Sequence, residues 1–180
     1  MISNAPTILG IKPGARQIGV SVIRGSELVF YRVKTIKVKN DGKETVKKLA
    51  EVLEKLLSEY DIEIAAVEKI VFPQQNLSFV KTVYEEIKDF FKERNIPLFE
   101  YNPKLARKII CGWEKPTKRN AAFILSHRYP ELARYSDVKR VWQRRYFALL
   151  FDAVAAAFAC STELRETKAL SAHPLPPPKK

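Results

Sequence analysis

The sequence predicts an α/β protein built on a five-stranded mixed sheet, an antiparallel meander followed by parallel strands, with helices flanking it. Three observations predict this. The first forty residues are apolar runs of strand length separated by Gly-containing turns. Up to residue 101, segments with apolar residues at helical spacing then alternate with short apolar runs, the pattern of parallel strands joined by helices. Beyond residue 101 only helical patterns follow. A chain of 180 residues fits one domain around one sizeable core.

Each element has its own signal. Residues 7–12 form the first strand. Gly14 and Gly19 bracket a turn, and residues 19–23 alternate as the second strand. Arg24-Gly25-Ser26 turns into a third strand over residues 28–38, and Asn40-Asp41-Gly42 ends the meander. Residues 43–60 are helical, with Val46, Leu49, Ala50, Leu53, Leu56 and Leu57 at steps of three and four. Residues 62–68 read as a buried parallel strand. A loop over 72–76 leads to a helix over 77–94, with Asn76 as its cap, and Asn95-Ile96-Pro97 stops that helix. Residues 98–101 are the fifth strand. Pro103 starts a short helix to Ile110, which Gly112 ends. Pro116 opens another helix through His127, and a long final helix covers residues 141–164. The domain is expected to occupy 1–165. Residues 166–180, with Pro at four of the last seven positions, are expected to be a disordered Pro/Lys-rich tail. Three strands, helix, strand, helix, strand, helices is the order of the ribonuclease H-like fold. There is no internal repeat.

The net charge is +12, unevenly spread. Residues 1–100 hold 16 Lys+Arg against 14 Asp+Glu, and residues 101–180 hold 16 against 6. That asymmetry points to a basic face in the second half and to an acidic partner, for which nucleic acid is the usual candidate. Cys111 and Cys160 lack any CxxC spacing and read as reduced core thiols of a cytoplasmic protein. No signal peptide or membrane span is expected; the apolar segment 146–160 is interrupted by Asp152 and reads as a buried helix. Trp113 and Trp142 flank basic segments, and core packing explains them equally well.

Two acids stand in apolar surroundings. Glu68 closes the strand Ile64-Ala65-Ala66-Val67, and Asp152 interrupts the helix Phe147-Ala148-Leu149-Leu150-Phe151. A carboxylate there is costly unless it is paired or metal-bound. Two-metal phosphodiester hydrolysis uses such carboxylates, converging on metals about 3.5–4 Å apart.

Four segments resemble the RuvC family of Holliday-junction resolvases, over residues 7–160. Ile8-Leu9-Gly10-Ile11-Lys12-Pro13-Gly14 resembles the family's first strand, I-L-G-I-D-P-G. Ala65-Ala66-Val67-Glu68 with Phe72, Gln75 and Asn76 resembles E-x-x-F-F-x-x-Q-N. Tyr101-x-Pro103, leading through Lys108 to Gly112 and Lys118, resembles the Y-x-P…G…K stretch. Asp152-Ala153 matches the second Asp of D-x-x-D-A. The resemblance implies a ribonuclease H-like fold and a metal site of four acids. Lys12 stands where the first Asp is expected, and Leu149 stands where the family has Asp or His. Two acids remain, Glu68 and Asp152. An ammonium repels a divalent cation and leucine cannot ligate one. A Lys12–Glu68–Asp152 ion cluster is therefore expected in place of the metals.

The resemblance also implies a DNA-binding side. Lys118 takes the place of the family's phosphate-facing basic residue, with Lys104, Arg107, Lys108, Lys115 and Arg119 around it. Phe72 either stacks near the junction centre or caps the core, and Gln75 lies in the same loop. Arg144 and Arg145 extend the basic face or pair with acids. The helix after the Glu motif serves dimerisation in the family. Here it carries Leu77, Val80, Val83, Tyr84, Ile87, Phe90 and Phe91, a face wider than one sheet contact demands; core packing explains it equally, and a homodimer is the expectation. The expected function is binding of branched, Holliday junction-like DNA in recombination and repair, with weak or absent nuclease activity, no cofactor, and other recombination proteins as further partners. The alternative is an active Mg²⁺- or Mn²⁺-dependent junction endonuclease with a rearranged site using Glu68, Asp152 and another acid or His127. A third reading is an interaction subunit with no DNA role.

Overall fold

The computed structural model describes residues 5–38, 41–70 and 78–172. Five strands form one sheet: β1 (Thr7–Lys12), β2 (Gln17–Arg24), β3 (Glu27–Thr35), β4 (Ile64–Glu68) and β5 (Leu98–Tyr101), in the order β3-β2-β1-β4-β5. β1, β2 and β3 pair antiparallel, and β4 and β5 run parallel to β1. The helices are α1 (Gly42–Tyr60), α2 (Ser78–Glu93), α3 (Pro103–Cys111), α4 (Lys118–Arg128), α5 (Ala133–Ser136) and α6 (Val141–Ala172), with a 3₁₀ turn at Pro130–Leu132.

The strands are buried on both faces. Leu9, Ile11, Ile18, Val20, Val22, Ala65 and Val67 point to one side, with Leu49, Leu53 and Leu56 of α1 and Val83, Ile87 and Phe91 of α2. Ile8, Ile23, Ala66 and Tyr101 point to the other, with Val154, Ala156, Ala157 and Cys160 of α6 and residues of α3 and α4. α6 lies almost on the sheet, and two glycines allow it. A methyl group at Gly10 would stand 2.1 Å from the Ala153 carbonyl oxygen, and one at Gly19 would stand 1.9 Å from that of Leu149. No side chain fits at either place.

Several boundaries differ from expectation. β3 ends at Thr35, and Val38 makes only an isolated bridge to Asp41, whose side chain caps α1 by accepting from the Glu44 N–H at 3.0 Å. β4 begins at Ile64, two residues late. α4 begins at Lys118 because Thr117, not Pro116, is its cap: the Thr117 hydroxyl accepts from the Asn120 N–H at 3.1 Å. The 3₁₀ turn and α5 were not expected. α6 runs on to Ala172, so residues 166–172 are helical and not part of a disordered tail; Glu166, Lys168 and Ala169 are good helix formers, and the first proline comes only at 174. By length and composition Val141–Ala169 also qualifies as a membrane-spanning helix, against expectation, with mean hydropathy 1.6 over its most apolar stretch. In this fold its apolar residues are the core: Ala153, Val154, Ala157, Ala159 and Cys160 are fully buried.

The apolar face of α2 is spent on the chain's own core. Val83, Tyr84, Ile87, Phe90 and Phe91 are all buried there. The width of that face is accounted for without a second chain. Leu77 lies outside the described residues.

Candidate functional site

Strand alternation places the key pair. Ile8, Gly10 and Lys12 of β1 share the α6 side, as do Ala66 and Glu68 of β4. The strands are parallel neighbours with Ile11 beside Val67, so Lys12 and Glu68 emerge together at their C-terminal ends. The Lys12 Nζ donates to Glu68 Oε1 at 2.5 Å, and the Glu68 side chain is 7% exposed against 22% for Lys12. The close docking of α6 on Gly10 brings Asp152 into the same charged group. Asp152 takes a different partner: Lys118, from the first turn of α4, donates from Nζ to Asp152 Oδ2 at 3.3 Å. The expected three-member cluster is thus a four-member one of two ion pairs. Lys118, expected to face phosphate, balances the second acid. Its side chain is 66% exposed, so it still reaches solvent.

Burial above all, and then the neighbouring Asp152, pushes the Glu68 carboxyl above its ordinary range, while Lys12 and Lys118 oppose the shift. Leu149 lies one helical turn before Asp152, its backbone carbonyl against Gly19 and its side chain against Gly14. The i−3 position that could complete a ligand set is thus aliphatic packing.

These residues do not fit a divalent metal. The Glu68 oxygen faces an ammonium at hydrogen-bond distance, Asp152 faces a second one, and the third position is leucine. Among the described residues no three carboxylate, His or Cys side chains come together as a metal-ligand group. His127 is elsewhere: it is exposed, its Nδ1 pairs with the Phe123 carbonyl at 2.9 Å, and its ring stacks on Phe123 with centroids 4.2 Å apart.

Basic residues reach the cluster from two helices: Lys118 and Arg119 of α4 and Arg144 of α6 line one groove with Asp152. Lys104, Lys108, Lys115, Lys118, Arg119, Arg144 and Arg145 are exposed, and Arg107 is half-buried. Apart from Lys118, none of them forms an ion pair among the described residues, Arg144 and Arg145 included. A groove of about 500 Å³ runs from Asp152 between α4, α5 and α6, lined by Lys118, Arg119, Arg144, Tyr135, Phe147 and Phe151. Sequence reasoning missed this groove, because its wall is α5. Trp113 is fully exposed and Trp142 is 60% exposed, which excludes the core-packing reading of both. Phe72, Gln75 and Asn76 lie outside the described residues.

A mixed sheet in the order β3-β2-β1-β4-β5, with α6 across it and charged groups at the C-terminal ends of β1 and β4, is the ribonuclease H-like class. Solved structures bear out the fold. RuvC of Thermus thermophilus, in complex with a Holliday junction substrate, superposes with a TM-score of 0.73 at 21% identity, covering 90% of this chain and 96% of that one. The yeast mitochondrial Holliday junction resolvase superposes at 0.66 and 12% identity, covering 93% and 84%. Residues 8–130, well over half of the chain, match the family model of crossover junction endodeoxyribonuclease RuvC, and the chain belongs to that family. A crossover junction endodeoxyribonuclease RuvC of Rickettsia prowazekii is 24% identical over 161 residues, 85% of this chain and 95% of that relative. The family match stops at Pro130, before α5 and α6.

Proposed function

We propose that this protein binds branched, Holliday junction-like DNA in recombination and repair, with weak or absent nuclease activity. The observation that carries the second half is the Lys12–Glu68 pair, at 2.5 Å. Lys12 supplies from within the chain a positive charge that a resolvase of this family draws from metal, and Lys118 does the same for Asp152. A fixed ammonium balances a carboxylate but offers no open coordination position and activates no water. Family membership and the exposed cations Arg119 and Arg144, which line the groove at Asp152 and form no ion pair among the described residues, support the first half. Those cations neutralise phosphates, so affinity falls steeply with salt. The active-endonuclease alternative needs a third ligand beside Glu68 and Asp152, and neither Leu149 nor His127 serves.

A two-fold junction suits two chains, so a homodimer on DNA belongs to this reading, although the buried α2 face does not argue for it. Sedimentation with and without a junction measures that part.

The test is competitive binding. A fluorescein-labelled synthetic four-way junction and a linear duplex of equal length are titrated in Mg²⁺ and in EDTA. Tighter junction binding, unchanged by EDTA, is the expected result. Equal affinity for duplex and junction, or binding lost in EDTA, overturns the proposal.

A further inference from the structure

Trp113 has a place in the fold but no packing role. It follows Gly112, whose φ of 56° closes α3, and its indole is fully exposed. An aromatic side chain left in water forgoes about 1.5–3 kcal/mol of burial. The turn that displays it is held at both ends: the Gly112 N–H donates to the Lys108 carbonyl at 3.0 Å, the Glu114 N–H donates to that of Cys111 at 2.9 Å, and Thr117 caps α4. The indole thus stands on a fixed corner, at little ordering cost to any partner.

The surroundings select the partner. Between residues 101 and 130 Glu114 is the only acid, against Lys104, Arg107, Lys108, Lys115, Lys118, Arg119 and Arg128. An apolar protein surface placed over Trp113 would desolvate these cations without pairing them. A nucleic acid pairs them through phosphates and offers flat bases as well. The corner leads into α4, whose first residue, Lys118, reaches Asp152 of the charged cluster at 3.3 Å. Inside a duplex the bases are already stacked on each other, so a tryptophan finds a free base face only where strands part.

We infer that Trp113 is a stacking platform for an unpaired base at the branch point of DNA bound on this face, a DNA contact additional to the phosphate-binding cations. The inference rests on the branched-DNA reading above. Stacking of a base on an aromatic side chain is sequence-tolerant and supports about a tenfold gain in affinity.

The 180-residue chain carries two tryptophans, so Trp142→Phe leaves Trp113 as the single one. Binding of the labelled four-way junction is followed by anisotropy and, in the same titration, by Trp113 emission. The expected result is quenching of Trp113 at the same midpoint as the anisotropy change. Trp113→Ala in that background then binds the junction about tenfold more weakly, Trp113→Phe recovers most of the loss, and linear duplex affinity changes less than twofold. Circular dichroism melting of Trp113→Ala is expected to be unchanged, since the side chain is exposed. Junction binding with neither quenching nor an affinity loss in Trp113→Ala overturns the inference and leaves the branched-DNA reading standing. A fall in sedimentation mass in Trp113→Ala without an affinity loss makes the corner a protein contact and overturns it too. No junction binding by the native chain overturns both.

Discussion

Replacing Lys12 by methionine keeps most of the side-chain volume and removes the charge. In the native chain Lys12 Nζ lies 2.5 Å from a Glu68 carboxylate that is only 7% exposed. At an effective dielectric of about 20 that attraction is about 7 kcal/mol before desolvation is subtracted. Removing one partner of a buried pair costs about 3–5 kcal/mol, chiefly through the charge left behind. Lys12 is 22% exposed, so water recovers part of this, and we expect a loss of about 2–4 kcal/mol at pH 7. The sign of the pH dependence follows from Glu68. Its carboxyl is already raised by burial and by Asp152, and losing Lys12 raises it further. A raised carboxyl holds its proton longer in the folded state, so its ionisation opposes folding. That penalty is absent below the unfolded-state value of about 4.3 and grows as pH rises through the folded-state value. The Lys12→Met loss should therefore shrink to about 1 kcal/mol or less by pH 4, and Lys12→Met/Glu68→Gln should recover most of it at pH 7. Urea unfolding at the two pH values measures this. An equal loss at both, or no recovery in the double variant, refutes the claim that Lys12 balances Glu68.

Other outcomes follow from the packing. Gly19→Ala places a methyl 1.9 Å from the Leu149 carbonyl oxygen and should cost about 3 kcal/mol or more in urea unfolding, because α6 must move off the sheet; a native-like midpoint would contradict that docking. The Ser21 hydroxyl is fully buried with no hydrogen-bond partner among the described residues, so Ser21→Ala should raise stability by about 1 kcal/mol, and a loss would show that the hydroxyl has a partner in solution. Burial pushes the Cys160 thiol up to about 11, over the opposing hydrogen bond with Tyr101, and burial likewise raises Cys111, so the native protein should resist iodoacetamide at pH 7.5 and react only on unfolding. Arg144→Ala, at the mouth of the groove, should weaken junction and duplex binding alike and lower the slope of log affinity against log salt by about one; an unchanged slope removes Arg144 from the interface.

The sheet was legible in the sequence because its strands are short apolar runs punctuated by glycine; Gly19, read as the end of a turn, instead lies inside β2, and the approach of α6 to it and to Gly10 was not read. Lys12 and Glu68 were legible as a pair because each ends a strand, and parallel neighbours bring their ends together. The partner of Asp152 was not. It depends on how α4 docks against α6, a contact between residues 34 apart that no local pattern encodes. The apolar width of α2 could not decide between core and dimer, because it was read against one sheet contact, whereas α2 also packs against α1 along the same core. The tryptophans were ambiguous because periodicity assigns a side to a residue inside a helix, but Trp113 stands in a turn and Trp142 stands in the solvent-facing first turn of α6.

The most direct test of Lys12 as the end of metal-dependent cleavage is strand scission itself. The native chain, Lys12→Asp and Glu68→Gln are each incubated with a synthetic four-way junction at saturating protein in Mg²⁺, in Mn²⁺ and in EDTA, and the strands are resolved on a denaturing gel. The native chain is expected to hold the junction and leave it uncut in all three conditions, with any metal-dependent cutting confined to Lys12→Asp. Symmetric cutting by the native chain in Mg²⁺ or Mn²⁺, lost in EDTA and in Glu68→Gln, would contradict it and make this chain an active resolvase.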